Sequence, residues 1–327
     1  MRRLLLTGIF SLILCGLWAT PGALGQTVVS DTSVEAGPGS LPLEPTRAFE
    51  MTTSEGSWLS VDVHPEGESV VFGLLGDLYT LPIGGGEATR ITSGMAFDSQ
   101  PHYGPEGDQV AFVSDRSGSE HVWVLDRSEQ DTTRLSTGDN LRFHSPEWTP
   151  DGNYVIASRQ TSLGDPAKPW LYHVEGGSGT PLVEEPESMR LSGAAFGEDP
   201  ERVWFARRSG AWDYNAILPE YQLAVYDRDT GQLYERSSRF GSAFRPTLSP
   251  DGQWLAYGTR HDAETGLRLR NRETGEERWL AYPVQHDDQE SIATRDVYPG
   301  MSFTPDSEAL IASYGGKIWR LPVGGGE

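Results

Sequence analysis

The feature that most constrains this chain is a short turn that returns six times, each time followed by an alternating apolar run. Most copies read Pro, then an acidic residue, then Gly. The copies occupy residues 64–67, 104–107, 149–152, 197–200, 249–252 and 304–307. Successive acidic positions are 40, 45, 48, 52 and 55 residues apart. Repeats of this length, built from short strands, are typical of a β-propeller with one blade per repeat.

Each repeat predicts four strands. In the second repeat, apolar and polar residues alternate over 100–103, 109–113, 121–125 and 133–136, with turn residues between these runs. Pro fixes one backbone angle and Gly accepts the left-handed conformation, so the recurrent turn joins neighbouring antiparallel strands. The sequence therefore predicts an all-β fold, a six-bladed propeller with four-stranded antiparallel blades, over residues 47–327.

The two ends of the repeat region predict how the ring closes. The first repeat continues beyond its three glycines at 84–86 into a fourth strand, whereas the sixth repeat stops after the equivalent glycines at 324–326. Residues 45–56 resemble the missing piece. We therefore expect residues 47–53 to close the ring as the outer strand of blade six, which protects an otherwise open sheet edge.

The first 25 residues have the pattern of a signal peptide. Arg2 and Arg3 precede an apolar stretch at 4–18, and a small-x-small site ends at Gly25. Fifteen apolar residues are fewer than the roughly 20 that a membrane-spanning helix needs. We expect a periplasmic or secreted protein without membrane insertion after cleavage. Residues 26–46, rich in Ser, Gly, Pro and Thr, are predicted to be a flexible lead-in.

The formal net charge is −21. Nucleic-acid binding depends on Lys and Arg that neutralise phosphates, and the chain has no basic run, so this balance argues against a nucleic-acid partner. Acidity alone reports on solubility and does not identify a ligand.

Several segments resemble known propellers. Residues 112–118 (Phe-Val-Ser-Asp-Arg-Ser-Gly) and 249–257 resemble the repeats of TolB, the periplasmic component of the Tol system. Residues 260–267, 279–283 and 299–306 resemble more closely the N-terminal propeller of large secreted bacterial amidohydrolases. That resemblance implies a metal-dependent hydrolase barrel farther along the polypeptide. We therefore expect this chain to be truncated before a catalytic domain, with no cofactor of its own and a divalent metal in the domain that follows.

Catalytic signatures are absent from the sequence itself. No two of the seven histidines are separated by one residue, and neither His-Glu-x-x-His nor Gly-x-Ser-x-Gly occurs. We therefore predict no catalytic residue, and expect the chain alone to lack catalysis. The densest acidic cluster comprises His286, Asp287, Asp288 and Glu290, which are weak metal-ligand candidates with a solvated loop as the alternative.

Propeller topology predicts where binding residues lie. The first-to-second and third-to-fourth turns of every blade share one face, here called the plain face, and all are short. The second-to-third loops and the inter-blade connections share the other face, here called the insertion face. It carries the insertions at 160–169, 208–222, 260–266 and 282–296. Loops on a rigid scaffold commonly carry function. The candidate binding residues on this face are Ser99, His144, Trp212, Tyr214, Asn215, Arg245, Arg295 and Asp296.

These candidates have structural alternatives. The aromatic side chains of the blade-four loop could pack over neighbouring blades, and Arg and Asp often connect adjacent blades by hydrogen bonds. Three functional hypotheses follow: an interaction module that docks on the catalytic domain of a secreted amidohydrolase, a free-standing periplasmic TolB-like scaffold that binds protein partners, and a propeller enzyme or lectin that uses the channel mouth.

Overall fold

The computed structural model describes residues 23–24, 50–162, 164–209, 217–291 and 296–325. The described chain forms six four-stranded antiparallel sheets, and none of its segments is a helix that could cross a membrane. Inner strands of consecutive blades contact each other, and the inner strand of blade six contacts that of blade one. The predicted six-bladed propeller is thus confirmed.

Blades one to five are meanders that start at the channel and end at the rim, whereas the rim strand of blade six comes from the N-terminal part of the chain. Blades one and two consist of β2 (Val61–Val63), β3 (Ser69–Leu74), β4 (Asp77–Pro82), β5 (Thr89–Arg90), β6 (Ser99–Tyr103), β7 (Gln109–Ser114), β8 (His121–Asp126) and β9 (Asp131–Arg134). Blades three and four consist of β10 (Arg142–Trp148), β11 (Tyr154–Gln160), β12 (Lys168–His173), β13 (Thr180–Pro181), β14 (Met189–Phe196), β15 (Arg202–Ser209), β16 (Gln222–Asp227) and β17 (Gln232–Glu235). Blade five consists of β18 (Phe244–Leu248), β19 (Trp254–His261), β20 (Glu264–Asn271) and β21 (Glu277–Ala281). Blade six consists of β22 (Ser302–Phe303), β23 (Ala309–Tyr314), β24 (Lys317–Pro322) and β1 (Ala23–Leu24).

The acidic residue of the recurrent turn has a structural role. Asp151 accepts hydrogen bonds from Thr149 Oγ1 at 2.6 Å and from the backbone N–H of Asn153 at 3.2 Å, and Asp251 and Asp306 make the same pair of bonds in blades five and six. The hydrogen bond from Thr149 contributes most to lowering the pKa of Asp151. The glycine that follows has a φ of 70–78° in four of the turns, which a side chain would disfavour.

The core is divided among the spaces between neighbouring blades. Between blades one and two, for example, Val71 and Leu78 pack against Phe112 and Leu125, and all four are at most 2% exposed. A separate cluster joins blade six to blade one, where Ile311 of β23 packs against strands of the first blade. Each blade therefore depends on both neighbours to bury its two faces, and the closed ring leaves no blade with an uncovered face.

Ring closure uses an N-terminal strand, but the residues differ from those expected. The strand beside β24 is Ala23–Leu24, paired with Trp319 and Ile318. Residues 50–53 are not in a strand, and residues 47–49 lie outside the described ranges. The segment that follows crosses the β23–β24 turn instead, because Gly56 donates to the carbonyl oxygen of Gly316 at 3.0 Å. Since β1 lies within the predicted signal peptide, cleavage after residue 25 would leave β24 without this neighbour.

Candidate functional site

The inner strands of blades two to five share a β-bulge at the same repeat position. The residue at each bulge has a left-handed backbone; these residues are Gln100, Ser145, Gly193 and Arg245, with φ of 54°, 52°, 65° and 52°. Such a φ costs a non-glycine residue about 1–3 kcal/mol, and a bulge redirects the side chain that it carries. Inner strands border the channel and begin at the inter-blade connections. The bulges therefore gather at the channel mouth on the insertion face.

Asp296 lies among these bulges, at the end of the long connection between blades five and six. Its Oδ2 accepts hydrogen bonds from Ser145 Oγ at 2.5 Å and from Arg245 Nη1 at 2.7 Å. The backbone N–H of Ser145 donates to Oε1 of Gln100, also at 2.5 Å. Burial acts to raise the pKa of Asp296, but Arg245 and the other neighbouring groups outweigh it, so the pKa lies below its usual value. An ionised carboxylate thus connects blades three and five across the channel mouth.

Gly193 has no side chain, and this makes room for the Asp296 carboxylate. A Cβ at this position would lie 2.8 Å from Oδ2 of Asp296. We expect Gly193→Ala to lower the free energy of unfolding by about 2–3 kcal/mol, through backbone strain plus displacement of Asp296. Gly231→Ala is the matched control. Its φ is 68° and the nearest atom is 3.9 Å from the added Cβ, so only the strain of about 1 kcal/mol remains. Denaturant unfolding measures both losses, and equal losses would contradict the proposed contact.

His144 is buried one residue before the bulge of blade three. Its Nε2 lies 3.1 Å from Ser192 Oγ, and both side chains are shielded, with each residue 2% exposed. Burial lowers the pKa of His144 to about 4, so the imidazole is neutral near pH 7. Its Nδ1 has no hydrogen-bond partner within the described residues. Among the residues that the structure describes, no third group orients this imidazole in the way that a catalytic triad requires.

A second polar cluster lies deeper along the inner strands and was not predicted from the sequence. His102 of blade two lies between two carboxylates: its Nδ1 is 3.3 Å from Asp62 Oδ2 of blade one, and its Nε2 is 3.0 Å from Glu147 Oε2 of blade three. Burial acts to lower the pKa of His102, but the two carboxylates outweigh it and raise the pKa to about 9. A protonated imidazole thus joins three consecutive blades.

The sequence does contain a signal for this cluster. Each of the three residues stands two positions before the recurrent turn of its own blade. The equivalent positions in blades four to six are Ala195, Thr247 and Ser302, which are small and uncharged. Aligning the repeats by their turns would have placed the ionisable groups of blades one to three in one layer.

The structure brings together some of the predicted binding residues. Arg245 and Asp296 form an ion pair, and both influence the pKa of His144. Ser99 lies apart from them, half-buried at a cavity of about 180 Å³ between blades two and three. Trp212, Tyr214, Asn215 and Arg295 lie outside the described residues.

Arg260 contacts two of the four weak metal-ligand candidates, Asp287 and Glu290. Arg260 donates from Nε and Nη2 to the two oxygens of Asp287, at 2.8 Å each, and from Nη1 to Glu290 at 2.9 Å. Asp287 is fully buried, whereas His286 lies at the edge of a groove described below. The guanidinium supplies the positive charge that Asp287 and Glu290 face, so the geometry gives these two carboxylates a structural role.

The two faces of the ring differ in charge. The six first-to-second turns contain eleven acidic residues and neither Lys nor Arg. The third-to-fourth turns of blades one to five add six acidic residues and three Arg. These turns therefore account for a formal charge of −14 out of −21, so the plain face repels anions and remains well solvated.

The exposed large hydrophobic side chains lie mainly on the opposite face. Nine such side chains occur among the described residues, and seven of them are on the insertion face. The seven are Met51, Leu75, Met95, Phe97, Ile217, Phe240 and Tyr282. Leu75 is 72% exposed and has a φ of 57°, a conformation that is rare for a bulky residue. The unequal distribution of exposed hydrophobic side chains makes the insertion face the better candidate for a surface that binds a partner.

Comparison with known sequences gives partial matches. The family model of the tricorn protease N-terminal β-propeller domain matches residues 60–215. Tricorn protease homolog 1 of Streptomyces coelicolor is 28% identical over 251 residues, which cover 65% of this chain and 22% of that protein. An uncharacterized peptidase of Bacillus subtilis is 24% identical over 53% of this chain and 23% of its own length. The chain thus spans less than a quarter of either relative.

Comparison with solved structures extends the similarity to most of the chain. TolB from Acinetobacter baumannii superimposes with a TM-score of 0.60 at 16% identity, covering 82% of this chain and 64% of that one. The tricorn protease superimposes with a TM-score of 0.60 at 14% identity, covering 83% of this chain and 25% of that one. In fold, the molecule is a β-propeller of the TolB and tricorn type.

Proposed function

We propose that this propeller is a non-catalytic interaction module that binds a partner domain through its insertion face. The observation that carries the proposal is the segregation of exposed hydrophobic side chains, seven of nine, onto that face. Among the described residues, the acidic plain face has no comparable set of exposed large hydrophobic side chains. At the channel mouth, Asp296 is already engaged by Arg245 and Ser145, so the described polar groups hold the ring together and leave no pair of acid and base free for catalysis.

The partner that we propose is the catalytic domain of a secreted, metal-dependent amidohydrolase, with this chain as its N-terminal part. The motifs at 260–267, 279–283 and 299–306 support this assignment, and the pattern of residues 1–25 supports export.

The alternative is a free-standing periplasmic scaffold that binds protein partners. The TolB-like fold over 82% of the chain supports that alternative. The DNA downstream of Glu327 separates the two: an open frame encoding a His-x-His barrel supports the first, and a stop codon supports the second.

Docking is tested with surface variants of the insertion face. We expect the wild-type chain and the separately produced downstream domain to form a complex, measured by isothermal titration calorimetry. Leu75→Ser and Phe97→Ser should each raise the dissociation constant at least about tenfold, because they remove apolar area from the contact. Tyr154→Ser is the control, since Tyr154 is 38% exposed and begins a strand beside the plain face. Equal affinities for all four proteins would contradict docking on the insertion face.

A further inference from the structure

A groove of about 990 Å³ lies between blades four and five. One wall is the connection from β17 to β18, and the other is formed by β20 and the β19–β20 turn. Arg260 and Arg270 both line the groove. Arg260 pairs with Thr265, five residues before Arg270 on β20, and five residues of strand span about 17 Å. The groove is therefore long enough for an extended segment of about five residues.

The lining of this groove is basic although the chain as a whole is acidic. Four arginines line it, together with two histidines and two acidic residues. These residues are Arg236, Arg239, Arg260, Arg270, His261, His286, Asp262 and Glu277. The lining residues carry a formal charge of +2, and because Asp287 and Glu290 already neutralise Arg260, the cations available to an anion are Arg236 and Arg270.

Two of these arginines, Arg236 and Arg270, retain capacity for an external carboxylate. Glu277 is shared between Arg239, at 2.7 Å, and Arg270, at 4.0 Å, and its Oε1 also accepts from Tyr257 at 2.9 Å. Arg236 lies over the ring of Tyr234 at 5.3 Å, and no carboxylate of the described residues lies within ion-pairing distance of it. Guanidinium groups bind carboxylates through paired hydrogen bonds, so Arg236 and Arg270 are suited to an acidic ligand.

Apolar contact is available beside these charges. Phe240 is 80% exposed and lines the groove together with Leu218. Arginine next to an exposed aromatic ring is a common composition for a protein-binding hot spot. Resting on the function proposed above, we propose that this groove binds an extended, acidic peptide segment of the partner, with carboxylates at the arginines and an apolar side chain against Phe240.

The test uses a fluorescein-labelled pentapeptide, Glu-Glu-Leu-Glu-Glu, blocked at its C-terminus, and the 327-residue chain. We expect saturable binding by fluorescence anisotropy at low salt, and none for the Gln-Gln-Leu-Gln-Gln peptide. Arg236→Gln combined with Arg270→Gln should weaken binding at least tenfold. Arg228→Gln combined with Arg272→Gln removes the same charge from plain-face turns and should leave the affinity within twofold. Inorganic phosphate should weaken peptide binding only as much as sodium chloride does at the same ionic strength.

Three results would overturn the inference: no binding, equal weakening by both pairs of variants, or specific displacement by phosphate, which would indicate a site for small anions. Thermal melting of each variant shows whether it is folded, and single substitutions replace any pair that is not. Peptide binding in the groove and docking on the downstream domain can fail independently of each other. Peptide binding without capture of the downstream domain contradicts the proposed function alone, and docking that is insensitive to the groove variants contradicts this inference alone.

Discussion

Replacing Asp287 by Ala is expected to lower the free energy of unfolding by about 3–5 kcal/mol, because it leaves a shielded guanidinium without its carboxylate. The side chain of Asp287 is fully buried and that of Arg260 is 9% exposed. Asp287 also accepts from Thr265 Oγ1 at 2.6 Å, so the substitution removes a third hydrogen bond. For a domain of this size the loss corresponds to a fall in Tm of about 10 °C.

Glu290→Gln is the matched control, since Glu290 contacts the same guanidinium but its side chain is 48% exposed. A partly exposed ion pair of this kind contributes about 1 kcal/mol or less. Differential scanning calorimetry of the two variants compares a buried and an exposed partner of one arginine. Should Asp287→Ala melt within about 2 °C of Glu290→Gln, the connection between blades five and six would not depend on the buried pair.

Stability is expected to fall as the pH rises from about 6.5 to about 9, through deprotonation of His102. Its pKa is about 9 in the folded protein, against 6.5 for a free imidazole. Because the folded state holds the proton more tightly, the stabilisation is complete below pH 6.5, declines between the two values and is lost above pH 9. A difference of this size corresponds to about 3 kcal/mol.

His102→Gln isolates this contribution from other groups that titrate. The wild-type protein should exceed the variant in stability most at pH 6, and the difference should shrink towards pH 9.5. His144 does not interfere, because its pKa of about 4 places its own loss of stability below pH 6.5. Urea unfolding of both proteins from pH 6 to 9.5 measures the difference. A difference that stays constant over this range would show that Asp62 and Glu147 do not bind a protonated imidazole.

The architecture could be predicted because its signals are local. A Pro-acid-Gly turn requires only neighbouring residues, as the Thr149–Asp151 hydrogen bond illustrates, so six copies specify six blades. The closing strand could not be placed in this way. Its partner, β24, is nearly 300 residues away, and a two-residue strand such as Ala23–Leu24 carries no periodicity. Residues 50–53 have a repeat-like sequence, but they do not form the closing strand.

Site residues whose position follows from propeller topology could be predicted from the sequence. The contacts that depend on local backbone geometry were missed. Arg245 and Asp296 were expected on the insertion face because the inter-blade connections lie there. Their connection through Ser145 depends on left-handed bulges, which composition does not reveal. A partial signal existed: Pro follows the bulge residue at Gln100, Ser145 and Arg245, and Pro suits positions where the strand ladder is interrupted.

The seam between blades one and six has a consequence for how the chain folds. Gly300 donates to Ser60 Oγ, and Ser313 Oγ donates to the carbonyl oxygen of Leu59, so these contacts join residues 240 and 254 positions apart. Five of the six inter-blade cores can form in order between sequence neighbours. The sixth must close a loop of almost the whole chain, which is entropically costly and slow. Until that late step, blade one keeps an apolar face exposed, and aggregation competes with folding during this interval.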